Sequence, residues 1–231
     1  MIRHKAVKAT LDKGYATEWN DDHDLNPAQV IVTWTTFIEE PFSNRWDTAQ
    51  STGGGSASVV IADQHAWVEV NSGSSVGDIA SIRHMLAGSV ENITHPDDQP
   101  EVTMAIRLIN PATTGLTHEF GFFRQDIAPF TSNQPGAYFR IEDNKVYAVT
   151  GDGTSETVTE IGGTSEYAVY RVRFLGSQVR FYIDDMTSPV AVHEANIPDD
   201  HLTVKLSTIA VSEGAQVLRS DFVGIVRLRK K

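Results

Sequence analysis

Residues 167–184 read YAVYRVRFLGSQVRFYID, in which apolar and polar side chains alternate on both sides of a Gly-Ser pair. Gly176-Ser177 suits a two-residue type II′ turn, because glycine readily adopts the positive φ that the first central position needs. This turn would pair the apolar residues of two strands on one face, as Phe174 with Val179, Val172 with Phe181 and Tyr170 with Ile183. A long hairpin with one apolar and one polar face is typical of an antiparallel sandwich.

The polar face of this hairpin carries arginines. In the same register Arg173 faces Arg180 directly, and Arg171 lies nearby on the same face. Like charges opposed across a strand pair are unfavourable unless a negative group lies between them. The sequence therefore predicts a negative group here. The arginines are compensated either by a carboxylate from a neighbouring strand or by solvent on the convex face or, alternatively, by an acidic glycan or a partner subunit.

The composition bounds what this chain can be. It has 231 residues, 40% of them hydrophobic, which suffices for a sizeable core in one large β-domain. The formal net charge of −11 repels phosphate backbones, so we expect no nucleic-acid binding. The chain has no cysteine, which excludes disulfides, thiolate metal sites and a cysteine nucleophile.

The first residues give no targeting signal. The basic group Arg3, His4 and Lys5 is not followed by an apolar run, and no later segment approaches the roughly 20 apolar residues of a membrane span. We therefore expect no membrane insertion, and release from a cell by another route, such as lysis. Residues 1–27 lack sustained alternation and are predicted to form an N-terminal arm, with one domain over residues 28–231.

From residue 30 onward, β-type segments recur with turn signals between them, as in an all-β sandwich. Besides the hairpin, they lie at residues 30–37, 57–61, 67–70, 78–86, 102–109, 118–124, 138–141, 146–149, 157–161, 203–211 and 222–228. Asn144-Lys145 is predicted to form the tight link between the strands at 138–141 and 146–149. Apolar positions follow a period of two rather than 3.6, so no amphipathic helix is predicted. Residues 126–136 form a long loop with two prolines, which either carries function or spans an edge of the sandwich.

The order of these segments resembles the concanavalin A-like lectin and glucanase superfamily. The likeness rests on the hairpin, on residues 67–74 followed by 78–82, and on Gly121-Phe122 ahead of a loop with residues 138–140 after it. The latter segments resemble virion and tail-associated members, and residues 13–23 are similar to leaders of phage or archaeal-virus tail and fibre proteins. The resemblance covers residues 30–231 and implies an all-β antiparallel jelly-roll β-sandwich.

In this architecture a sugar would bind on the concave sheet, where an aromatic platform stacks on the pyranose and polar groups hold its hydroxyls. The candidate carbohydrate-binding residues are strand residues whose phase is opposite to the core set or at its margin: Trp67, Arg83, Arg107, His118, Arg124, Tyr138 and Arg140. For each of them, ordinary surface packing is the alternative.

The sequence predicts no catalytic residue and no metal site. Glycosidases of this superfamily place carboxylates at alternate positions of one strand, whereas Glu39 and Glu40 are adjacent and so point to opposite faces. The histidines are dispersed without metal-binding spacing, so no cofactor is predicted. Loops at residues 151–154 and 196–200 hold oxygen ligands that could bind calcium, although turn chemistry explains both.

These observations favour a non-enzymatic virion protein, a tail, fibre or decoration module that binds a cell-surface polysaccharide through a lectin-like sandwich. Its arm would contact other virion proteins or a second copy of the chain, in the virion or outside the cell after lysis. Two alternatives stay open. One is a polysaccharide-degrading enzyme of the same fold, a glycoside hydrolase or a lyase, and the other is a purely structural oligomerisation module.

Overall fold

The computed structural model describes residues 30–36, 46–62, 65–84, 94–109, 114–212 and 214–228, so the predicted arm lies outside the described residues. Over these ranges the chain forms fifteen strands and one 3₁₀ turn, Pro96–Asp98. No helix in this part of the chain is long and apolar enough to cross a membrane. The strands are β1 Val30–Thr36, β2 Trp46–Thr52, β3 Ser56–Ala62, β4 His65–Asn71, β5 Ile79–His84, β6 Glu101–Ile109, β7 Leu116–Arg124, β8 Gly136–Glu142, β9 Lys145–Gly151, β10 Glu156–Gly163, β11 Tyr167–Leu175, β12 Gln178–Ile183, β13 Ala191–His193, β14 Leu202–Ile209 and β15 Val217–Leu228.

The strands form two antiparallel sheets that pack face to face. One sheet, which we call the hairpin sheet, has eight described strands in the order β13-β12-β11-β6-β15-β4-β3, with β1 paired to the second half of β15. The other, which we call the meander sheet because β7 to β10 follow one another in it, has seven in the order β10-β9-β8-β7-β14-β5-β2. The predicted all-β antiparallel sandwich is confirmed.

The hairpin has the register that the sequence predicts. Its cross-strand pairs are, as expected, Phe174 with Val179, Val172 with Phe181 and Tyr170 with Ile183. The φ angle of Gly176 is +59°, whereas that of Ser177 is not positive, which is the pattern of a type II′ turn. Phe174, Val179 and Phe181 have no exposed surface and belong to the main core.

Aromatic rings join the two sheets at the centre of the core. Phe120 and Phe139 of the meander sheet lie 4.8 Å and 4.9 Å, between ring centroids, from Tyr170 of the hairpin sheet. Phe181 stands edge-on to Phe139 at 5.4 Å. Edge-to-face pairs at these distances stabilise a core beyond the area that they bury, and here they fix how one sheet stacks on the other.

The structure differs from the sequence prediction at three places. It contains two strands that the sequence does not predict: β2, whose sequence WDTAQST is mostly polar, and β13, which is too short to show a periodicity. The tight link between β8 and β9 is Asp143-Asn144, with φ of +51° and +57°, rather than Asn144-Lys145. Two positive φ angles in succession indicate a type I′ turn, to which Asp and Asn are well suited.

A carboxylate from a neighbouring strand lies beside two of the three hairpin arginines. Arg173 faces Arg180 as predicted. Glu101 of β6 places Oε2 3.5 Å from the Nε of Arg173 and Oε1 3.3 Å from the Nε of Arg171. The first of the two explanations left open by the sequence is therefore the one that the structure supports for Arg171 and Arg173.

Candidate functional site

The structure distributes the seven predicted carbohydrate-binding residues over three places. Five belong to strands of the meander sheet: Arg83, His118, Arg124, Tyr138 and Arg140. Trp67 and Arg107 lie on the hairpin sheet, and His118 points into the sandwich in the same phase as the core residues Phe120 and Phe122. Of the seven, the structure brings together Tyr138 and Arg140. Their role in binding stays a prediction.

Trp67 and Arg107 lie on the outer face of the hairpin sheet, on the far side of the sandwich from Tyr138 and Arg140. Arg107 is paired, because its Nη2 lies 2.7 Å from Oε1 of Glu166. Trp67 is 5% exposed, and its ring meets the ring of Tyr167 edge-on at 6.2 Å. The seven residues therefore do not form a single surface.

One row of polar and aromatic residues crosses the outer face of the meander sheet. We call it the central row. Strand register places its members side by side in the order Ser81, Ser207, Glu119, Arg140, Tyr147 and Glu160. Since neighbouring strands lie about 4.8 Å apart, the row runs for roughly 25 Å perpendicular to the strands.

Glu119 lies at the middle of the central row and is fully buried. Its Oε2 accepts hydrogen bonds from the backbone N–H of Phe130 at 3.0 Å and from Nε2 of Gln134 at 2.6 Å. Its Oε1 lies 3.5 Å from Nε of Arg140. Burial raises the pKa of Glu119 to about 7, against the opposing effect of the Arg140 charge. This carboxyl group can therefore hold or release a proton near neutral pH.

Arg140 connects Glu119 to the next two side chains of this face. Its Nη2 donates to the hydroxyl oxygen of Tyr138 at 3.0 Å and to Oε2 of Glu156 at 2.9 Å. A planar guanidinium held by several partners has a fixed orientation. Arg140 is thus a positioned donor whose charge is balanced by carboxylates.

The long loop between β7 and β8, residues 125–135, covers Glu119. Lys205 of β14 ties it down, because its buried Nζ donates to the backbone oxygens of Arg124 at 2.8 Å and Ile127 at 2.6 Å. At the other end of the loop, the backbone N–H of Asn133 donates to Oε1 of Glu156 at 3.4 Å. Burial lowers the pKa of Lys205 to about 8, and the nearby charge of Arg83 acts in the same direction.

A small apolar cluster lies on this outer face, separate from the main core. Phe123 stacks on Tyr138 with 4.5 Å between ring centroids, and Val149 completes the buried part. Tyr147 packs against this cluster and is partly exposed. Outer faces of antiparallel sheets are usually polar, so an aromatic cluster behind a partly exposed tyrosine marks a surface that can receive the apolar side of a ligand.

Gly121 makes room for this cluster. It faces Tyr138 across β7 and β8, with a φ of +143°. A Cβ atom at this position would lie 2.7 Å from the Cα of Tyr138 and 2.7 Å from the backbone oxygen of Ala137. A glycine inside a strand often marks such a close approach of another backbone.

Sequence reasoning misses five residues of this surface: Glu119, Gln134, Tyr147, Glu156 and Glu160. A signal for Tyr147 does exist. A two-residue Asp143-Asn144 turn would set Tyr147 opposite Arg140, on the face that Tyr138 shares. A turn at Asn144-Lys145 would instead set Arg140 opposite Val149 and Glu142 opposite Tyr147, which hides this pairing.

The loop at residues 151–154 satisfies its own acidic residue. Oδ1 of Asp152 accepts hydrogen bonds from the backbone N–H and hydroxyl of Thr154, both at 2.7 Å, and from the backbone N–H of Ser155 at 2.8 Å. These bonds lower the pKa of Asp152 to about 2. Within the described ranges, no group of three or more His, Asp and Glu side chains is arranged to hold a metal ion. The expectation about cofactors, calcium included, stays a prediction.

Comparisons with known proteins bear on the fold. No protein-family model and no curated protein sequence matches this chain. Among solved structures, the Emp47p carbohydrate recognition domain matches with a TM-score of 0.58 at 10% identity, over 88% of this chain and 99% of that chain. The β-glucanase of Bacillus licheniformis matches with a TM-score of 0.56 at 12% identity, over 87% of this chain and 98% of that chain.

A third similar structure is the exoplasmic/lumenal domain of VIP36 in its Ca²⁺- and Man3GlcNAc-bound form. It matches with a TM-score of 0.54 at 9% identity, over 90% of this chain and 91% of that chain. These neighbours include both lectins and glucanases, so the fold is compatible with binding and with hydrolysis. At such identities the likeness concerns architecture: the chain has the jelly-roll sandwich of the concanavalin A-like lectins and glucanases.

Proposed function

We propose that this protein is a non-catalytic carbohydrate-binding module that holds a neutral polysaccharide on the open end of the central row, around Tyr147. The observation that carries the proposal is the position of Tyr147. It is partly exposed, it is backed by the buried cluster of Phe123, Tyr138 and Val149, and Arg140 and Glu160 flank it on the neighbouring strands.

Exposure increases along the row towards this end. The side chain of Glu119 is 1% exposed, that of Arg140 is 12% exposed and that of Glu160 is 50% exposed. A polysaccharide crossing the strands would therefore meet the tyrosine ring and the polar groups beside it. The buried side chains of the row would hold this ring and these polar groups in position.

The chemistry of this surface suits an uncharged sugar. A tyrosine ring can stack on the C–H face of a pyranose, and the groups beside it can bind hydroxyls. Arg140 is balanced by Glu119 and Glu156, and Lys145 donates to Oε2 of Glu160 at 2.9 Å. Because each cation has a carboxylate partner, a charged ligand would gain little here.

The carboxylates favour binding over hydrolysis. A glycosidase needs two carboxyl groups that reach the sugar. The pKa of Glu119 would suit a general acid, yet this side chain is fully buried beneath residues 125–135 and both of its oxygens face protein groups. The outer positions of β8 are Gly136, Tyr138, Arg140 and Glu142, which include a single carboxylate.

A glycan array, followed by calorimetry on any glycan that binds, tests the proposal. We expect Tyr147→Ala to weaken binding by about tenfold or more, since it removes the stacking platform. Tyr167→Ala removes an exposed tyrosine from the opposite sheet and should bind as wild type. Equal binding by wild type and Tyr147→Ala would refute this surface. Release of reducing sugar or unsaturated product from a polysaccharide panel would instead indicate an enzyme.

We further propose that the module attaches a virion to a cell-surface polysaccharide and joins other virion proteins through its arm. Its support is the sequence likeness of residues 13–23 to tail and fibre leaders. Light scattering on the full chain and on a chain lacking residues 1–27 tests the arm, with circular dichroism to verify that the sandwich is folded. We expect an oligomer that depends on the arm, and a monomer in both cases would contradict this role.

A further inference from the structure

The outer face of the hairpin sheet holds an excess of buried positive charge. Arg173 faces Arg180 across β11 and β12, and Arg171 lies two residues along β11 on the same face. Arg171, Arg173 and Glu101 are 6%, 8% and 5% exposed. Glu101 thus pairs with two of these three guanidinium groups, in a chain whose net charge is −11.

Glu101 accounts for two of the three arginines. Its carboxylate lies within 3.5 Å of the Nε atoms of both Arg171 and Arg173. Arg171 has further partners, because its Nε donates to the hydroxyl of Thr103 at 3.3 Å and its guanidinium lies 5.7 Å from the ring centroid of Tyr182. The charge of Arg171 is therefore satisfied within the protein.

Arg180 is different, because it lies on the far side of Arg173 from Glu101. β6, β11 and β12 are successive strands, so the backbones of Glu101 and Arg180 are roughly 10 Å apart. The Nη2 of Arg180 donates to Oε1 of Gln178 at 3.3 Å, which is an uncharged acceptor. Its Nε is buried and has no hydrogen-bond acceptor among the described residues. A buried donor left unsatisfied beside a like charge destabilises the fold.

We propose that Arg173 and Arg180 bind an oxyanion of the sulfate class between them, either as the free ion or carried by an acidic saccharide. The several oxygens of such an ion can accept hydrogen bonds from both guanidinium groups at once, including the Nε of Arg180. Binding would remove the repulsion between the two arginines. This site lies on the opposite sheet from Tyr147, so it is independent of the neutral-glycan surface.

The test is calorimetric and thermal titration of the full-length chain with sodium sulfate, at an ionic strength held constant with sodium chloride. We expect saturable sulfate binding by wild type. Arg180→Gln should weaken it by about tenfold or more, because a charge-assisted contact is lost. Arg107→Gln is the matched control, since Arg107 lies on the same face but is already paired with Glu166 at 2.7 Å.

The unliganded variants give a second readout. In sulfate-free buffer, Arg180→Gln should melt at the same temperature as wild type or higher, because it relieves the repulsion from Arg173. A purely structural arginine would give a lower melting temperature. Dextran sulfate, with neutral dextran as its control, distinguishes the sources. Tighter binding of the polymer than of an equal concentration of sulfate indicates a saccharide, and equal binding indicates the free ion.

Two results would overturn the proposal. One is an equal response of wild type and Arg180→Gln to sulfate, which would mean that the ion acts through general exclusion from the protein surface. The other is a clear loss of stability in Arg180→Gln without sulfate.

Discussion

Glu119 and Arg140 face each other across β7 and β8, with 3.5 Å between the carboxylate Oε1 and the guanidinium Nε. The shorter contacts of Arg140 go to Tyr138 and Glu156 instead. Glu119 therefore stays poorly compensated for its burial, and its pKa lies near 7 rather than at the ordinary 4.5. In the folded protein Glu119 keeps its proton up to a higher pH than it does in the unfolded chain.

This relationship predicts a pH dependence of stability. Protonated Glu119 contributes on the order of 3 kcal/mol to the free energy of unfolding. This contribution is fully present below about pH 4.5 and is lost as the pH rises through about 7. Urea unfolding between pH 5 and pH 8 should therefore show wild type losing more stability with rising pH than Glu119→Gln. Glu160→Gln, at the half-exposed end of the same row, should follow wild type. Parallel profiles for wild type and Glu119→Gln would contradict the prediction.

His118 should limit stability in acid. It is fully buried, neither ring nitrogen has a hydrogen-bond partner among the described residues, and burial lowers its pKa to about 3. The unfolded chain takes up a proton below about pH 6.5, so stability is lost as the pH falls from there towards 3. His118→Leu should remove this loss and raise the free energy of unfolding at pH 7 by about 1–3 kcal/mol.

Denaturant titrations of wild type and His118→Leu at pH 7 and pH 5 check this. The gap between the two proteins should be wider at pH 5. The same variant also tests the ligand role predicted for His118, since an inward-facing residue can be replaced without loss of glycan binding. A binding defect in a stable His118→Leu protein would restore that role.

Lys205 should hold the loop of residues 125–135 in place over Glu119. In Lys205→Met, the carbonyl oxygens of Arg124 and Ile127 lose their buried donor, which should cost about 1–3 kcal/mol. Hydrogen exchange of the amides in residues 125–135 should become faster, including that of Phe130, which donates to Glu119. Lys145→Met removes an exposed lysine and is the control. Unchanged exchange in the loop would show that other contacts hold it.

Gly121 should tolerate no side chain. Gly121→Ala places a Cβ 2.7 Å from two backbone atoms at a φ of +143°, and we expect it to destabilise the fold by about 2–4 kcal/mol. Gly163→Ala is the matched control, because a Cβ there meets nothing within 4 Å. Thermal melts of both variants decide the question. Similar melting temperatures would mean that β8 can move away from β7.

The hairpin is predictable from sequence because all of its information is local. A period of two identifies the strands, and the Gly176-Ser177 turn then fixes which residues pair. The central row, in contrast, consists of residues that are far apart in the sequence. Ser81 and Ser207, whose hydroxyl oxygens lie 2.7 Å apart, are 126 residues apart in the chain. No short-range pattern says that β5, β14 and β7 are neighbours, so Glu119 could not be placed beside Arg140 in advance.

The predicted site residues show the same limit. Alternation correctly separates inward from outward residues on most strands, but it is identical on both sheets. Trp67 and Arg107 therefore looked equivalent to Tyr138 and Arg140, although the two pairs lie on opposite sides of the sandwich. The inward direction of His118 could have been inferred from its own strand, since Phe120 and Phe122 follow it at alternate positions on the buried face.

The pairing of β1 with β15 sets Val30 opposite Leu228. The start of the first described strand and the end of the last one therefore lie side by side at one edge of the hairpin sheet. Both of these residues lie on the sheet opposite to the one that carries Tyr147. The same proximity makes the chain suitable for circular permutation: a short linker across these strands would let new termini open elsewhere without disturbing either sheet.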